Sequence, residues 1–171
     1  MQWSKMKMRM ESRLCDSLKG RIQYNSTRYR GSHDQVGRAW ITFDHVILHD
    51  FCTTKRSYKY NSSANSIQKE NHCLDWNDPL QQKGYYQAYK LADEELRSQG
   101  YYNQYQFYDA IEEFLNLPIN RAVTSENALI RSFAYVDKRV GKRTLLSIKE
   151  DKDRRVMKFL TIRKKAEGIH F

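Results

Sequence analysis

Two stretches of the chain, RIQYN at residues 21–25 and RAWITF at residues 38–43, decide the predicted fold. In both stretches apolar and polar side chains alternate, and this two-residue period is typical of a β-strand with one buried face. Residues 31–37 between them are rich in turn-forming side chains, so we expect antiparallel neighbours. A short turn at residues 44–45 leads to a third apolar stretch at residues 46–51. The sequence therefore predicts a small antiparallel three-stranded meander.

Helical patterns surround the predicted meander. In front of it, apolar residues recur at steps of three and four, which places them on one helical face: Trp3, Met6, Met10, Leu14 and Leu18. Gly20 can adopt the left-handed conformation that ends such a helix. Behind the meander, residues 53–77 are polar and show no sustained period, so we predict a long loop there.

A helical part is predicted from residue 78 to residue 168. Asp78 stands directly before Pro79, and this pair marks a helix start. Later apolar patterns are separated by three helix breakers into four or five helices: Gly100, Pro118 and Gly141. Thr124 or Ser125 is the predicted cap of one of them.

The order of these elements predicts an α+β fold in a single domain of residues 1–171. Residues 1–52 form the helix and the meander, residues 53–77 the polar loop, and residues 78–168 the helical part. A chain of this length hides roughly 70% of its surface on folding. Its 40% hydrophobic and 29% charged residues are typical of a globular protein.

The composition also indicates the cellular compartment in which we expect the protein. The first residues contain no unbroken apolar segment of the length that a signal peptide requires, and no run approaches the roughly 20 apolar residues of a membrane span. Cys15, Cys52 and Cys73 are odd in number and widely spaced, which is typical of reduced thiols. We therefore expect a cytoplasmic protein that does not enter a membrane.

Charge is concentrated at the two ends of the chain. Residues 1–30 carry 8 basic and 2 acidic side chains, residues 138–171 carry 12 and 4, and residues 31–137 carry 10 and 14. The net charge of +10 therefore comes from the ends. Such a distribution bounds the partners that a protein attracts, but it defines no reaction.

Seven C-terminal cations and two tyrosines are the candidate contact residues: Lys138, Arg139, Lys142, Arg143, Arg154, Arg155, Lys158, Tyr101 and Tyr102. Such cations can neutralise nucleic-acid phosphates or acidic side chains, and tyrosine is common in contact surfaces. Amphipathic packing is the ordinary role of most of the 12 tyrosines. The basic tail either faces solvent or pairs with acidic residues of the middle region: Asp93, Glu94, Glu95, Glu112 and Glu113.

The sequence contains no pattern that indicates a cofactor, a metal site or a catalytic centre. The histidines lack the spacing of metal ligands, so we expect ordinary surface or turn residues: His33, His45, His49 and His72. An enzyme that uses Cys15, or the carboxylates of Asp109, Glu112 and Glu113, is a further alternative. It is the weakest one, because the sequence supplies no base beside the thiol and exposed carboxylates usually serve solvation.

Several segments carry a resemblance to a known family: MQWSK at residues 1–5, LC at 14–15, LKGR at 18–21, LIR at 129–131, DKRVGKRTL at 137–145 and AEG at 166–168. They resemble a family of small uncharacterised bacterial proteins. The resemblance implies that some members are immunity partners of contact-dependent or polymorphic toxins. It brings no catalytic motif.

We therefore predict a non-enzymatic protein-binding module of the bacterial cytoplasm, of the immunity or antitoxin type and without a cofactor. Because the chain is basic, we expect a toxin partner with an acidic surface, or a contact led by aromatic residues. The alternative is nucleic-acid binding by the basic C-terminal helices, which predicts a steep salt dependence. The oligomeric state stays open.

Overall fold

The computed structural model describes residues 2–31 and 36–169. Within these ranges, three strands form one antiparallel sheet in chain order: β1 (Ile22–Arg28), β2 (Gly37–Phe43) and β3 (Val46–Cys52). One helix precedes the sheet and seven follow it: α1 (Trp3–Arg13), α2 (Thr53–Glu70), α3 (Gln82–Ser98), α4 (Gln104–Asn116), α5 (Ile119–Ala122), α6 (Ala128–Val136), α7 (Lys142–Ser147) and α8 (Arg154–Ala166). The predicted α+β fold and its meander are confirmed. Much of the predicted turn before β2, including His33, lies outside the described residues.

α1 ends earlier than predicted because the chain after it pairs with a distant segment. Leu14 is extended and forms an isolated antiparallel bridge with Asp137. Backbone hydrogen bonds flank this bridge, one from the Cys15 N–H (3.1 Å) and one from the Lys138 N–H (2.8 Å). One turn of 3-10 helix follows, and Gly20, at φ 77°, then turns the chain toward β1. A helix that continues to Gly20 is therefore wrong.

The sheet buries the side chains that the two-residue period predicts. Ile22 and Tyr24 of β1 are buried, as are Ala39 and Ile41 of β2. Residues 44–45 both have positive φ (48° and 67°), which is the geometry of a tight hairpin turn. The predicted turn between the second and third strands is therefore confirmed.

The predicted loop at residues 53–77 is wrong, because α2 occupies most of it. The buried residues of this 18-residue helix are Arg56, Ala64 and Gln68, and two of these three side chains are polar. The Arg56 guanidinium pairs with the Asp93 carboxylate of α3, and Gln68 Nε2 donates to a backbone carbonyl of α3 (3.3 Å). Polar contacts thus dock α2, and they leave no apolar period in the sequence.

Two helices begin later than predicted. α3 begins at Gln82 because Asp78 first closes a turn, in which its carboxylate accepts the backbone N–H two residues later (2.9 Å). α6 is capped by Asn127 rather than by Thr124 or Ser125, since its Oδ1 accepts the N–H two residues later (3.0 Å). The C-terminal part has six helices instead of four or five, because α5 and α7 are too short to show an apolar period.

The chain divides into two compact units. The first unit contains Met1–Ser26, Ala39–Asp50 and Tyr105–Phe171, and the second contains Thr27–Arg38 and Phe51–Gln104. Each strand contributes residues to both units. The assignment of the whole chain to a single domain stays a prediction.

The core of the first unit surrounds α6. All side chains of residues 129–136 are buried, so this helix has no solvent face. The ring of Phe133 lies 5.6 to 6.2 Å, centroid to centroid, from three other aromatic rings: Tyr24, Phe107 and Phe114. Trp3 packs on the Phe107 ring at 5.9 Å and anchors α1 to the same core.

The core of the second unit is built on small side chains. Ala64 of α2 and Ala88 and Ala92 of α3 are buried, and side chains of this size let two helices approach closely. Phe51, at the end of β3, packs on the Tyr102 ring at a centroid distance of 6.5 Å. This unit therefore combines close helix packing with one aromatic contact.

Gly37→Ala tests the packing at the start of β2. A Cβ there would overlap the Thr27 carbonyl oxygen and the Gln104 side-chain amide, which donates to the carbonyls of Thr27 (2.9 Å) and Arg38 (3.1 Å). We expect the free energy of unfolding in urea to fall by about 1–3 kcal/mol. Gly141→Ala is the control, since its added Cβ meets no atom within 4 Å, and its loss should stay below about 1 kcal/mol. Equal losses would contradict the packing argument.

Candidate functional site

The predicted contact residues belong to both units. Tyr101 and Tyr102 lie in the second unit, and the seven cations lie in the first. Tyr102 is buried against Phe51, so it is a core residue. Tyr101 is exposed, and the Lys59 ammonium lies 4.4 Å from the centroid of its ring. Of the two tyrosines, Tyr101 alone contributes to a surface.

Arg139 and Arg155 are held by aspartates two residues before them. The Arg139 N–H donates to Asp137 Oδ1 (2.8 Å), and its Nη2 pairs with the other oxygen (2.7 Å). The arrangement recurs at Asp153, whose Oδ1 accepts the N–H (2.8 Å) and the Nε (2.9 Å) of Arg155. We call this arrangement an Asp-x-Arg turn. It stabilises the local backbone and uses the charge of both arginines within the fold.

Arg163 of α8 is buried and holds the segment after α6. Its Nη1 donates to the Asp137 carbonyl (2.8 Å), its Nη2 to the Val140 carbonyl (3.0 Å), and its Nε to Glu167 (2.8 Å). The neighbouring Lys164 is also buried, and its ammonium donates to a backbone carbonyl (2.8 Å). The DKRVG segment is therefore a structural junction between α6, α7 and α8.

A second buried ion pair joins α6 to the segment before α8. Arg131 Nε and Nη2 donate to the two oxygens of Asp151 (2.7 and 2.9 Å), and the Tyr135 hydroxyl donates to the same carboxylate (3.1 Å). Burial opposes the charged form of Asp151, but the hydrogen bonds that it accepts outweigh burial and lower its pKa. Burial, followed by the charge of Asp151, raises the pKa of Tyr135 to about 12.

Lys138 and Lys142 line a cleft of about 380 Å³ in the first unit, together with six other residues: Cys15, Asp16, Ser17, Arg163, Ala166 and Glu167. The Lys138 ammonium donates to a backbone carbonyl of α1 (2.9 Å). Cys15 is buried after the end of α1, not within a helix that continues to Gly20 as predicted, and its sulfur lies 3.3 Å from Ser17 Oγ. The described lining of this cleft combines basic side chains with the carboxylates of Asp16 and Glu167.

The other predicted cations, Arg143, Arg154 and Lys158, are exposed. The acidic residues proposed as their internal partners have other contacts or face solvent. Asp93 pairs with Arg56 and Arg97, Glu94 with Lys90, and Glu95 accepts the Ser63 hydroxyl, while Glu112 and Glu113 are exposed. The tail pairs with carboxylates of its own unit: Glu126, Asp137, Asp153 and Glu167.

The surface feature that the sequence patterns missed is the segment of residues 71–81 between α2 and α3, which we call the apolar loop. Leu74, Trp76 and Leu80 are 61%, 52% and 93% exposed. Gln81 Oε1 accepts two backbone N–H groups of the loop (2.9 and 3.2 Å), which fixes its path. Three large apolar side chains within seven residues therefore face solvent from an ordered backbone.

Further contacts hold the apolar loop on the second unit. Asp75 and Asp78 each accept a backbone N–H two residues later (2.8 and 2.9 Å), as in Asx turns. Cys73 packs directly on Gly84 of α3, where a side chain would overlap its sulfur. The available signal was Leu74 and Trp76 within an otherwise polar stretch.

Histidines and membrane spans give no further site. Within residues 2–31 and 36–169, no group of three or more His, Cys, Asp or Glu side chains is placed to hold a metal ion. His45 lies in the turn before β3, His49 is buried in β3, and His33 lies outside these ranges. In the same ranges, every helix is too short or too polar to cross a bilayer.

The chain is an α+β protein, and the DKRVG segment at residues 137–141 forms its ion-paired C-terminal junction. The SF0329 protein family model matches residues 2–164, nearly the whole chain, so the chain belongs to this family. The resemblance is confirmed at the level of family membership, and the immunity role stays a prediction. Comparisons with curated proteins and with solved structures give no match.

Arg163→Met tests the junction. The variant removes the donor of the Val140 carbonyl and one of the two donors of the Asp137 carbonyl, and it leaves Glu167 without its arginine, so we expect the free energy of unfolding in urea to fall by about 2–4 kcal/mol. Lys165→Met, on the same helix but exposed, is the matched control and should change it by less than about 0.5 kcal/mol. A stable Arg163→Met protein would contradict the structural role.

Tyr135→Phe isolates the effect of pH on the second buried pair. Because the folded protein raises the pKa of Tyr135 from about 10 to about 12, its contribution is complete below pH 10 and is lost as pH rises toward 12. We expect the stability advantage of the wild type over the variant to shrink between about pH 10 and pH 12 in urea titrations. A constant difference over that range would contradict the shift.

Proposed function

We propose that this chain is a non-enzymatic protein-binding module and that the apolar loop is its contact surface. The observation that supports the proposal is the exposure of Leu74, Trp76 and Leu80 on a backbone held by its own hydrogen bonds. Burying a side chain of this kind contributes about 1.5–3 kcal/mol. Binding of a partner to the loop would therefore gain a large free energy of apolar burial from three neighbouring side chains.

The chemistry of the loop suits a protein partner. Tryptophan is enriched among the residues that dominate binding energy, and such residues work best when neighbouring contacts exclude water. Because the loop is already ordered by Gln81 and Asp78, binding loses little conformational entropy. A contact led by apolar side chains is consistent with the basic net charge of the chain, because it does not require the chain to present an acidic surface.

An immunity or antitoxin role in the bacterial cytoplasm is the finer form of this proposal. It rests on the resemblance of the sequence segments to proteins that accompany toxins. In this form the partner is a toxin domain with an apolar pocket for Trp76 and Leu80. Its acidic or neutral rim would accommodate the positive charge of the chain.

The double variant Trp76→Ser/Leu80→Ser tests the proposal in the full chain. Tagged wild type and variant are expressed in the native host, and captured proteins are quantified by mass spectrometry. Tyr58→Ser is the control, because Tyr58 is a large exposed side chain of the same unit that lies outside the loop. A partner should be retained by the control and lost by the double variant. With purified partner, we expect binding to weaken by about 30-fold or more.

Two results would contradict the proposal. One is recovery of nucleic acid or a metabolite without a protein partner. The other is a purified partner whose affinity the double variant leaves unchanged while circular dichroism shows that all three proteins are folded.

A further inference from the structure

The outer face of α8 carries three cations in helical register. Arg154, Lys158 and Lys165 stand at positions i, i+4 and i+11, and about 100° per residue places them within about 40° of one another. All three are exposed, and Thr161 lies on the same side of the helix. The opposite side is buried: Val156, Phe159, Leu160 and Arg163. We call the three cations the α8 basic face.

The α8 basic face keeps its charge. Three of the four acidic side chains in residues 138–171 are bound by other arginines: Asp151 by Arg131, Asp153 by Arg155 and Glu167 by Arg163. The fourth, Glu150, precedes α8 and is exposed. Among the residues that the structure describes, none places a carboxylate within ion-pair distance of Arg154, Lys158 or Lys165. Local ion pairs thus leave this one helical face positive and open to solvent.

We propose that the α8 basic face binds the phosphodiester backbone of a nucleic acid. A rise of about 1.5 Å per residue separates Arg154 from Lys158 by about 6 Å and Lys158 from Lys165 by about 10 Å along the helix. Each strand of a duplex carries a phosphate about every 3.4 Å of its axis, so a single strand can meet all three cations. The Thr161 hydroxyl adds a donor for a phosphate oxygen.

Other polyanionic surfaces fit this face less well. A helix that lies on a membrane exposes large apolar side chains beside its cations, whereas Phe159 and Leu160 of α8 are buried in the protein. Protein interfaces are depleted in lysine at their centre and depend on aromatic or apolar anchors. The α8 basic face has two lysines and no such anchor. Backbone phosphates require only charge and hydrogen-bond donors.

This proposal is independent of the protein-binding proposal. The α8 basic face lies in the first unit and the apolar loop in the second. Substitutions in the loop should leave nucleic-acid binding unchanged, and substitutions on α8 should leave the protein partner bound. The two proposals can therefore fail separately.

The test compares two triple variants of the full chain with the same change in net charge. Arg154→Glu/Lys158→Glu/Lys165→Glu removes the α8 basic face, and the control reverses three exposed lysines of the second unit: Lys69, Lys83 and Lys90. Fluorescence anisotropy measures binding to a short duplex DNA and, separately, to a hairpin RNA of equal length, each at about 50 and 200 mM salt. The two nucleic acids distinguish DNA from RNA as the source of the phosphates.

We expect the wild type to bind at least one nucleic acid with micromolar affinity at low salt. The α8 variant should lose at least about tenfold in affinity, and the slope of log K against log salt should fall in magnitude by about 2–3. The control should lose less than about threefold, because only long-range attraction changes. A glutamine triple at the same α8 positions gives the same comparison if charge reversal unfolds the helix.

Three results would overturn the proposal. The first is no binding to either nucleic acid at about 50 mM salt. The second is an equal loss in both triple variants, which would assign binding to net charge rather than to this face. The third is displacement of the nucleic acid by polyglutamate at equal charge concentration, because phosphates would then have no advantage over carboxylates.

Discussion

The structure of the first unit depends on the burial of Asp137 and Arg163 at one junction. The Asp137 carboxylate is fully buried and pairs with Arg139, while Arg163 donates to the carbonyls of Asp137 and Val140. A buried charge is costly unless it is paired and hydrogen-bonded, so these groups hold one another in place. The same segment forms the backbone bridge to Leu14 that ends α1. One polar junction therefore fixes where α1 ends and holds α8 against the segment that follows α6.

The sheet was predictable because its two-residue period is a local property of the sequence. The helical structure of α2 could not be predicted in the same way, because α2 is docked by Arg56 and Gln68. The partners of these two side chains lie on or beyond the next helix. A polar side chain in a buried position looks like a surface residue until its partner is known. Apolar periodicity therefore fails where long-range hydrogen bonds replace apolar contacts.

The sequence pattern already indicated two parts of the C-terminal site, the exposed face of α8 and the Asp-x-Arg turns. The 3.6-residue period of α8 separates Arg163, which is buried, from Arg154 and Lys158, which are exposed. The Asp-x-Arg turns are also local, because Asp137 and Asp153 stand two residues before the arginines that they hold. The apolar loop had no comparable signal, since its order comes from side-chain-to-backbone hydrogen bonds that no periodicity reports.

Net charge alone overstates the cations that a binding surface can use. Of the basic side chains in residues 138–171, four are held in ion pairs, and the Lys164 ammonium donates to a backbone carbonyl. The four are Arg139, Lys152, Arg155 and Arg163. An arginine that already has a carboxylate has part of its charge neutralised and some of its donors occupied, so it attracts a phosphate less strongly. Cations without such a partner bind at the lower expense of displacing solvent and counterions. The selectivity of the basic tail is therefore set by which of its charges the fold has already used.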